Sequence, residues 1–151
     1  MSYLDSEQVK SILQDCFRSK STEIGKMNLR IQGVADYMSP TGKKSVRAKL
    51  LTKDGNIELD FNYLIKEQKV HSSIKNKQLD DSFFITEYLE YKAEVVLRQK
   101  LNQLKSETSE NYLKRYVSEV IYLLNSNLTD VINGSKWENI PVPDSVLGKY
   151  K

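Results

Sequence analysis

The feature that most constrains this chain is the alternation of apolar and polar residues on both sides of Asp54-Gly55. Alternation with a period of two is typical of strands, and Asp-Gly is a preferred pair for a two-residue type I′ hairpin turn. Such a turn places Lys53 opposite Asn56 and thereby sets the register of a whole hairpin. On its apolar side the facing pairs are Leu50 with Leu59, Ala48 with Phe61, and Val46 with Tyr63. On its polar side Lys49 faces Asp60 and Arg47 faces Asn62, which is a favourable charge match.

A further strand is predicted before this hairpin, since residues 27–37 also alternate. Met27, Leu29, Ile31, Ala35 and Tyr37 are expected on its core-facing side. Residues 39–42, Ser-Pro-Thr-Gly, have the composition of a turn. Residues 67–77 fit either a short edge strand or a flexible basic loop, because their apolar positions are few and their lysines many.

Helical periodicity begins and ends the chain. Asp5 or Ser6 can cap a first helix, and Gln8 completes a capping box with Asp5. Cys16 lies on the apolar stripe of that helix and is interpreted as a small buried hydrophobe. Residues 19–26 are expected to form the loop that follows. Two late helices are predicted over residues 81–105 and 110–133, and the wider apolar stripe of the second indicates the central helix of the fold.

These elements predict one α+β domain. It consists of an N-terminal helix, a three- or four-stranded antiparallel meander, and a C-terminal helical hairpin packed on one sheet face. The domain is expected to span residues 1–136, and residues 137–151 to form an extended tail. Four apolar residues of the tail, Trp137, Ile140, Val142 and Val146, are expected to dock on the domain or on a partner.

Composition narrows the function classes. The chain has 151 residues with one Cys and one His, so an internal disulfide is excluded and a structural zinc site is disfavoured. No apolar run approaches the roughly 18 residues of a membrane span, and the N-terminus lacks the features of a signal peptide. A soluble cytoplasmic protein without a cofactor or membrane partner is therefore expected. The net charge of +3 is small for a dedicated nucleic-acid binder.

A non-catalytic protein-binding or assembly protein is the favoured interpretation, with another protein or a second copy of the chain as its partner. Nine tyrosines are many for this length, and tyrosine is favoured at interfaces. Five of them lie in the two late helices, which is more than one buried face needs. The predicted contact residues are Tyr91, Tyr122 and Trp137. The small size and the Lys-, Asn- and Ile-rich composition suit an accessory protein of a phage or mobile element.

Nucleic-acid binding through a lysine-rich sheet edge is the alternative. Its candidate contacts are Lys43, Lys44, Arg47, Lys49 and Lys53. Two observations weigh against it. Glu58 and Asp60 neutralise the same sheet face, and Tyr37 and Tyr63 are expected to face the core, which leaves no aromatic platform for bases.

A metal-dependent nuclease is the third interpretation. Restriction-type nucleases carry an acidic residue on one strand and an acid-any-Lys pattern on the next, with the carboxylates binding magnesium. Glu67-Gln68-Lys69 has this local form, and Asp54 or Asp60 lies upstream. The fit is poor because Asp60 is expected on the same strand as Glu67 and Asp54 in a tight turn. His71 has no signature of a catalytic triad around it and is interpreted as a surface or edge-strand side chain.

Overall fold

The computed structural model describes residues 3–134 and 136–141 and shows a sheet covered by helices on one face. The element order is α1 Ser6–Ser19, α2 Ser21–Lys26, β1 Leu29–Met38, β2 Lys44–Thr52, β3 Ile57–Leu64, β4 Lys69–Asn76, β5 Asp81–Phe84, α3 Ile85–Ala93, α4 Ser109–Asn127 and α5 Thr129–Ile132. The five strands form one antiparallel meander in sequence order. The predicted α+β class is confirmed. The predicted count of three or four strands is wrong, because the sheet has five.

The β2–β3 hairpin has the predicted register, with Leu50 opposite Leu59, Ala48 opposite Phe61 and Val46 opposite Tyr63. These side chains are fully buried. The turn itself differs from type I′, because Gly55 has φ 76° while Asp54 has no positive φ. Asp54 instead accepts hydrogen bonds from the Thr52 hydroxyl and the Asn56 amide. These two bonds hold the aspartate in place, so only the glycine adopts a left-handed backbone.

Residues 67–77 are neither an edge strand nor a loop. β4 pairs with β3 on one side and with the four-residue β5 on the other, so it is an interior strand. β5 was expected as the first turn of a helix. Its two phenylalanines instead point to opposite sides of the sheet, since Phe83 pairs with Ile74 and Phe84 pairs with Ser73.

The helix predicted over residues 81–105 is much shorter, because α3 ends at Ala93 and Glu94 adopts a left-handed backbone. The segment that follows is tied down by one residue of α4. The guanidinium group of Arg115 donates to the carbonyls of Lys100 and Asn102 and to both carboxylate oxygens of Glu107. These tertiary bonds satisfy backbone groups that a helix would have paired internally, and periodicity alone does not reveal them.

The first helix has the predicted capping box between Asp5 and Gln8. Cys16 is half-buried rather than fully buried. Residues 21–26, expected as a loop, form α2, which Ile24 anchors in the core. α4 is the central helix as predicted, with eight buried residues. Two of its hydroxyl groups reach the sheet: Tyr112 accepts a hydrogen bond from the Val70 amide, and Tyr116 bonds the Ser72 hydroxyl.

No helix in residues 3–134 and 136–141 has both the length and the apolar character that crossing a membrane requires.

Candidate ligand-binding face of the sheet

One side of the sheet lies opposite the hydrophobic core. Residues paired directly across antiparallel strands share a side, so the register identifies which side chains lie there. We call this side the open face; its central members are Tyr37, Arg47, Lys49, Asp60, Asn62, His71, Ser73 and Phe84. The helices pack on the other side, where Phe17 of α1 meets Phe61 at 5.3 Å between ring centroids.

A β-bulge in β1 determines what the open face carries. The pairing runs Ile31 with Leu50 and then Gly33 with Lys49, so Gln32 is the extra residue. A bulge inverts the alternation beyond it. Ala35 and Tyr37 therefore lie on the open face, and the prediction that they face the core was wrong. Gly33 was the available signal, because an isolated glycine in a strand often marks a bulge.

Arg47 connects the middle of the open face to Tyr37. Its guanidinium carbon lies 3.6 Å from the centroid of the Tyr37 ring, a cation–π geometry. Its Nε donates to Oδ1 of Asn62 at 2.7 Å. The guanidinium group is thus held at one face by the Tyr37 ring and at one edge by the Asn62 amide oxygen, which orders a cation and an aromatic ring as one unit.

A cavity of about 300 Å³ lies beside this unit. Gly33, which has no side chain, and Ala35 leave room on β1, and the large side chains of Tyr37, Arg47 and Lys49 surround that space. Gln32 and Asp36 complete the lining. This volume lies at the lower end of the range for small-molecule sites, and it combines an aromatic ring with two cations.

Asp60 lies at the centre of the open face on β3, between Lys49 and Ser73 on the neighbouring strands. Its side chain is buried, with 7% of the residue exposed. Burial, followed by repulsion from Glu58, raises the pKa of Asp60 to about 6, while Arg47 and Lys49 act in the opposite direction. This carboxyl group therefore changes charge close to neutral pH.

His71 lies on β4 opposite Asn62, and its ring packs edge-on against Phe84 with 5.7 Å between the ring centroids. Burial, together with the positive charges of Arg47 and Lys43, lowers its pKa, so the imidazole is neutral at pH 7. His71 was expected at the surface or on an edge strand. It is half-buried on an interior strand because β5 extends the sheet beyond it.

The basic residues predicted to contact nucleic acid separate into three places. Arg47 and Lys49 lie together on the open face. Lys43 and Lys44 lie at the β1–β2 turn, and Lys53 lies in the β2–β3 turn at the opposite end of β2. The structure thus brings together two of the five, and it adds Asn62 and His71, which sequence reasoning did not select for binding.

The predicted protein-binding aromatics also separate. Trp137 is half-buried against its own domain, where it stacks on Tyr88 at 5.2 Å and donates from its indole N–H to Asp81. Ile140 is buried as well, whereas Val142 and Val146 lie outside the described residues. Tyr91 on α3 and Tyr122 on α4 remain exposed, at 50% and 63%. The other three tyrosines of the late helices, Tyr88, Tyr112 and Tyr116, are buried in the core.

The residues of the nuclease interpretation do not converge. Glu67 is exposed in the turn between β3 and β4, Asp54 is in the β2–β3 turn, and Asp60 is in the interior of β3. Across residues 3–134 and 136–141, the structure groups no three His, Cys, Asp or Glu side chains in a way that could hold a metal ion.

Comparison of the chain with protein-family models, with curated proteins and with solved structures gives no match.

Proposed function

We propose that this chain is a non-catalytic binding protein whose open face binds single-stranded nucleic acid. The observation that carries the proposal is the β1 bulge, because it turns Tyr37 to the open face beside Arg47 and the cavity. The absence of an aromatic platform was one of two arguments against nucleic acid, and the position of Tyr37 beyond the bulge removes that argument.

The charges of the open face suit a polyanion. Its strands carry five cationic side chains and two acidic ones, and one of the two acids, Asp60, has a raised pKa. The cations are Arg30, Arg47, Lys49, Lys69 and Lys75, and the second acid is Glu58. Phosphates supply most of the affinity in such complexes, and they do so without regard to base sequence.

Unpaired bases fit this face better than a duplex does. Single-strand binders combine a positive path for the backbone with rings on which bases stack. Tyr37, His71 and Phe84 supply rings on β1, β4 and β5, and the Arg47 guanidinium supplies a further stacking plane between them. A strand of nucleic acid that crosses the sheet from β1 to β5 would meet these groups in turn.

The proposal is tested by fluorescence anisotropy with a labelled single-stranded oligonucleotide at about 50 and about 200 mM salt. The double variant Arg47→Ala, Lys49→Ala should weaken binding and reduce the slope of log affinity against log salt by about 1–2, because two phosphate contacts are lost. The matched control, Lys26→Ala with Lys105→Ala, removes two exposed lysines elsewhere. It should leave affinity within about twofold.

Tyr37→Leu separates stacking from charge. Loss of the ring should weaken binding by about 1–3 kcal/mol and leave the salt slope unchanged, because stacking releases no counterions. Tyr122→Leu is the matched control on α4. If wild-type protein binds no oligonucleotide at low salt, the proposal is wrong.

Self-association or protein binding through the late helices is the second candidate, favoured by the exposure of Tyr91 and Tyr122. Trp137 is less available to a partner than these two tyrosines, because its ring is half-buried and packs on Tyr88. Light scattering after size exclusion would show oligomers that persist at high salt and dissociate in the Tyr91→Ser, Tyr122→Ser variant. The accessory role in a phage or mobile element stays a prediction.

A further inference from the structure

Two buried polar atoms of the open face have no hydrogen-bond partner among the residues that the structure describes. They are Oδ1 of Asp60 and Nδ1 of His71. Asp60 faces Ser73, and His71 lies two residues away from Ser73 on the same strand, so the two side chains are diagonal neighbours across β3 and β4. A buried polar group without a partner is costly, and two of them at one place require an explanation.

The charged donors near Asp60 are engaged elsewhere, and the carboxyl groups of Asp60 and Glu58 share a hydrogen bond that leaves Oδ1 of Asp60 without a partner. The ammonium groups of Lys49 and Lys77 lie 3.5 and 3.4 Å from the carboxylate of Glu58. The Nε of Arg47 donates to Asn62. Ionised Asp60 presents an acceptor at Oδ1, and neutral His71 presents one at Nδ1 when its ring proton is on Nε2, so a group with N–H donors would satisfy both atoms.

On a face that stacks bases, the available N–H donors are those of the base edges. Cytosine presents an amino group at its 4-position and adenine one at its 6-position, and carboxylates accept from such groups in direct readout. Uracil and thymine present a carbonyl oxygen at the same place, which a carboxylate repels. A site that is built to accept from an amino group rejects an analogue that presents a carbonyl oxygen at that position, because two acceptors then face each other.

Access to Asp60 follows from what lies beside it. Its cross-strand neighbours are the side chains of Lys49 and Ser73, and Lys49 is partly exposed. If Lys49 moves from Glu58 to a phosphate of the bound strand, the carboxylate of Asp60 becomes available to the adjacent base. Backbone binding and base reading are coupled in this way.

We propose that the open face selects bases that carry an exocyclic amino group, with the carboxylate of Asp60 and Nδ1 of His71 as the acceptors that read it. This inference rests on the proposed function and specifies its substrate class. Cytosine, adenine and guanine, which carries its amino group at the 2-position, are accepted, and uracil and thymine are disfavoured.

The test compares the affinities of oligo-dC and oligo-dU of equal length at pH 7.5, because these bases differ at the 4-position and in the adjacent ring N–H. Wild-type protein should bind oligo-dC about tenfold more tightly, which is within the range of one good base contact. Asp60→Asn should bring the two affinities to within about twofold, because an amide can donate to the uracil oxygen as well as accept. Asp80→Asn is the control. It makes the same chemical change at an exposed residue of the β4–β5 turn and should leave the preference for oligo-dC unchanged.

The outcomes are distinguishable. If the wild type binds both oligonucleotides equally, base selection is wrong and the proposed function stands. If the preference persists in Asp60→Asn, the assignment to Asp60 is wrong. If neither oligonucleotide binds, the proposed function fails, and this inference fails with it. The wild-type ratio alone decides the base selection, so the test does not depend on the folding of any variant.

Discussion

At the scale of single residues, Asp60 makes the molecule sensitive to pH. Its pKa is raised from 3.8 to about 6, so the folded state binds this proton more tightly than the unfolded state does. The stabilisation is present below about pH 4 and is lost as the pH rises through 6. Asp60→Asn should therefore gain stability relative to wild type as the pH rises across this window, with the largest gain at pH 7 and above. Urea unfolding at several pH values measures this difference.

Asp54→Asn provides a control of opposite sign. Hydrogen bonds from the Thr52 hydroxyl and the Asn56 amide lower the pKa of Asp54, so its ionised form stabilises the fold above its unfolded pKa. Relative to wild type, Asp54→Asn should lose stability as the pH rises. A difference between Asp60→Asn and wild type that stays constant from pH 4 to 8 would contradict the assignment of a raised pKa to Asp60.

At the scale of elements, alanine substitutions at two glycines test backbone conformation without changing the packing of side chains. Gly55 has φ 76° in the β2–β3 turn, and Gly25 lies within α2. A Cβ added at either position meets nothing within 4 Å, so neither alanine clashes with a neighbouring residue. Gly55→Ala should cost about 1–2 kcal/mol because the turn needs a left-handed residue. Gly25→Ala should stabilise by about 0.5–1 kcal/mol because alanine favours the helix.

Thermal or urea unfolding of the two alanine variants measures both free energies. If Gly55→Ala is neutral, the left-handed conformation of this turn is not required. If Gly25→Ala lowers the free energy of unfolding, α2 is not a helix in solution, and the loop predicted for residues 19–26 is the better description.

The elements also show which parts of the fold could be predicted. The β2–β3 register follows from alternation around a turn, and these local signals agree with each other. β5 could not be predicted, because four residues carry too little pattern to distinguish a strand from a first helical turn. The segment after α3 is held by Arg115, which is distant from α3 in sequence. The bulge depends on a single extra residue, and one residue exchanges the two faces of a strand.

The open face, too, could be predicted from the sequence only in part. Alternation alone places Arg47 and Lys49 on a polar sheet face, as the structure confirms. It cannot show that Asp60 and His71 are buried without partners, because that depends on how neighbouring side chains on three strands cover them. It also assigned Tyr37 to the core, since Ala35 and Tyr37 continue the alternation of Leu29 and Ile31, and Val34 is the one partly buried apolar residue beyond Gln32 on the inverted phase.

At the scale of the whole molecule, the boundary between domain and tail is open to test through the single tryptophan. A domain of residues 1–136 with a separate tail predicts that Trp137 reports its own, earlier transition. In the structure, the Trp137 ring stacks on Tyr88, and its centroid lies 6.0 Å from the centroid of the Phe83 ring. The Tyr88 hydroxyl also donates a hydrogen bond to the Glu138 carbonyl. These contacts join residues 137–140 to the sheet and α3.

Urea unfolding followed by tryptophan fluorescence and by far-ultraviolet circular dichroism should therefore give coincident transitions, as expected for one cooperative unit. Trp137→Ala should lower the free energy of unfolding by about 2–3 kcal/mol, somewhat less than for a fully buried tryptophan, because its ring is half-buried. Tyr122→Ala, at a 63% exposed position, should change it by less than about 0.5 kcal/mol. A fluorescence transition at lower urea than the dichroism transition would instead separate the tail from the domain. Trp137 would then be available to a partner, which is the role the aromatic pattern first predicted for it.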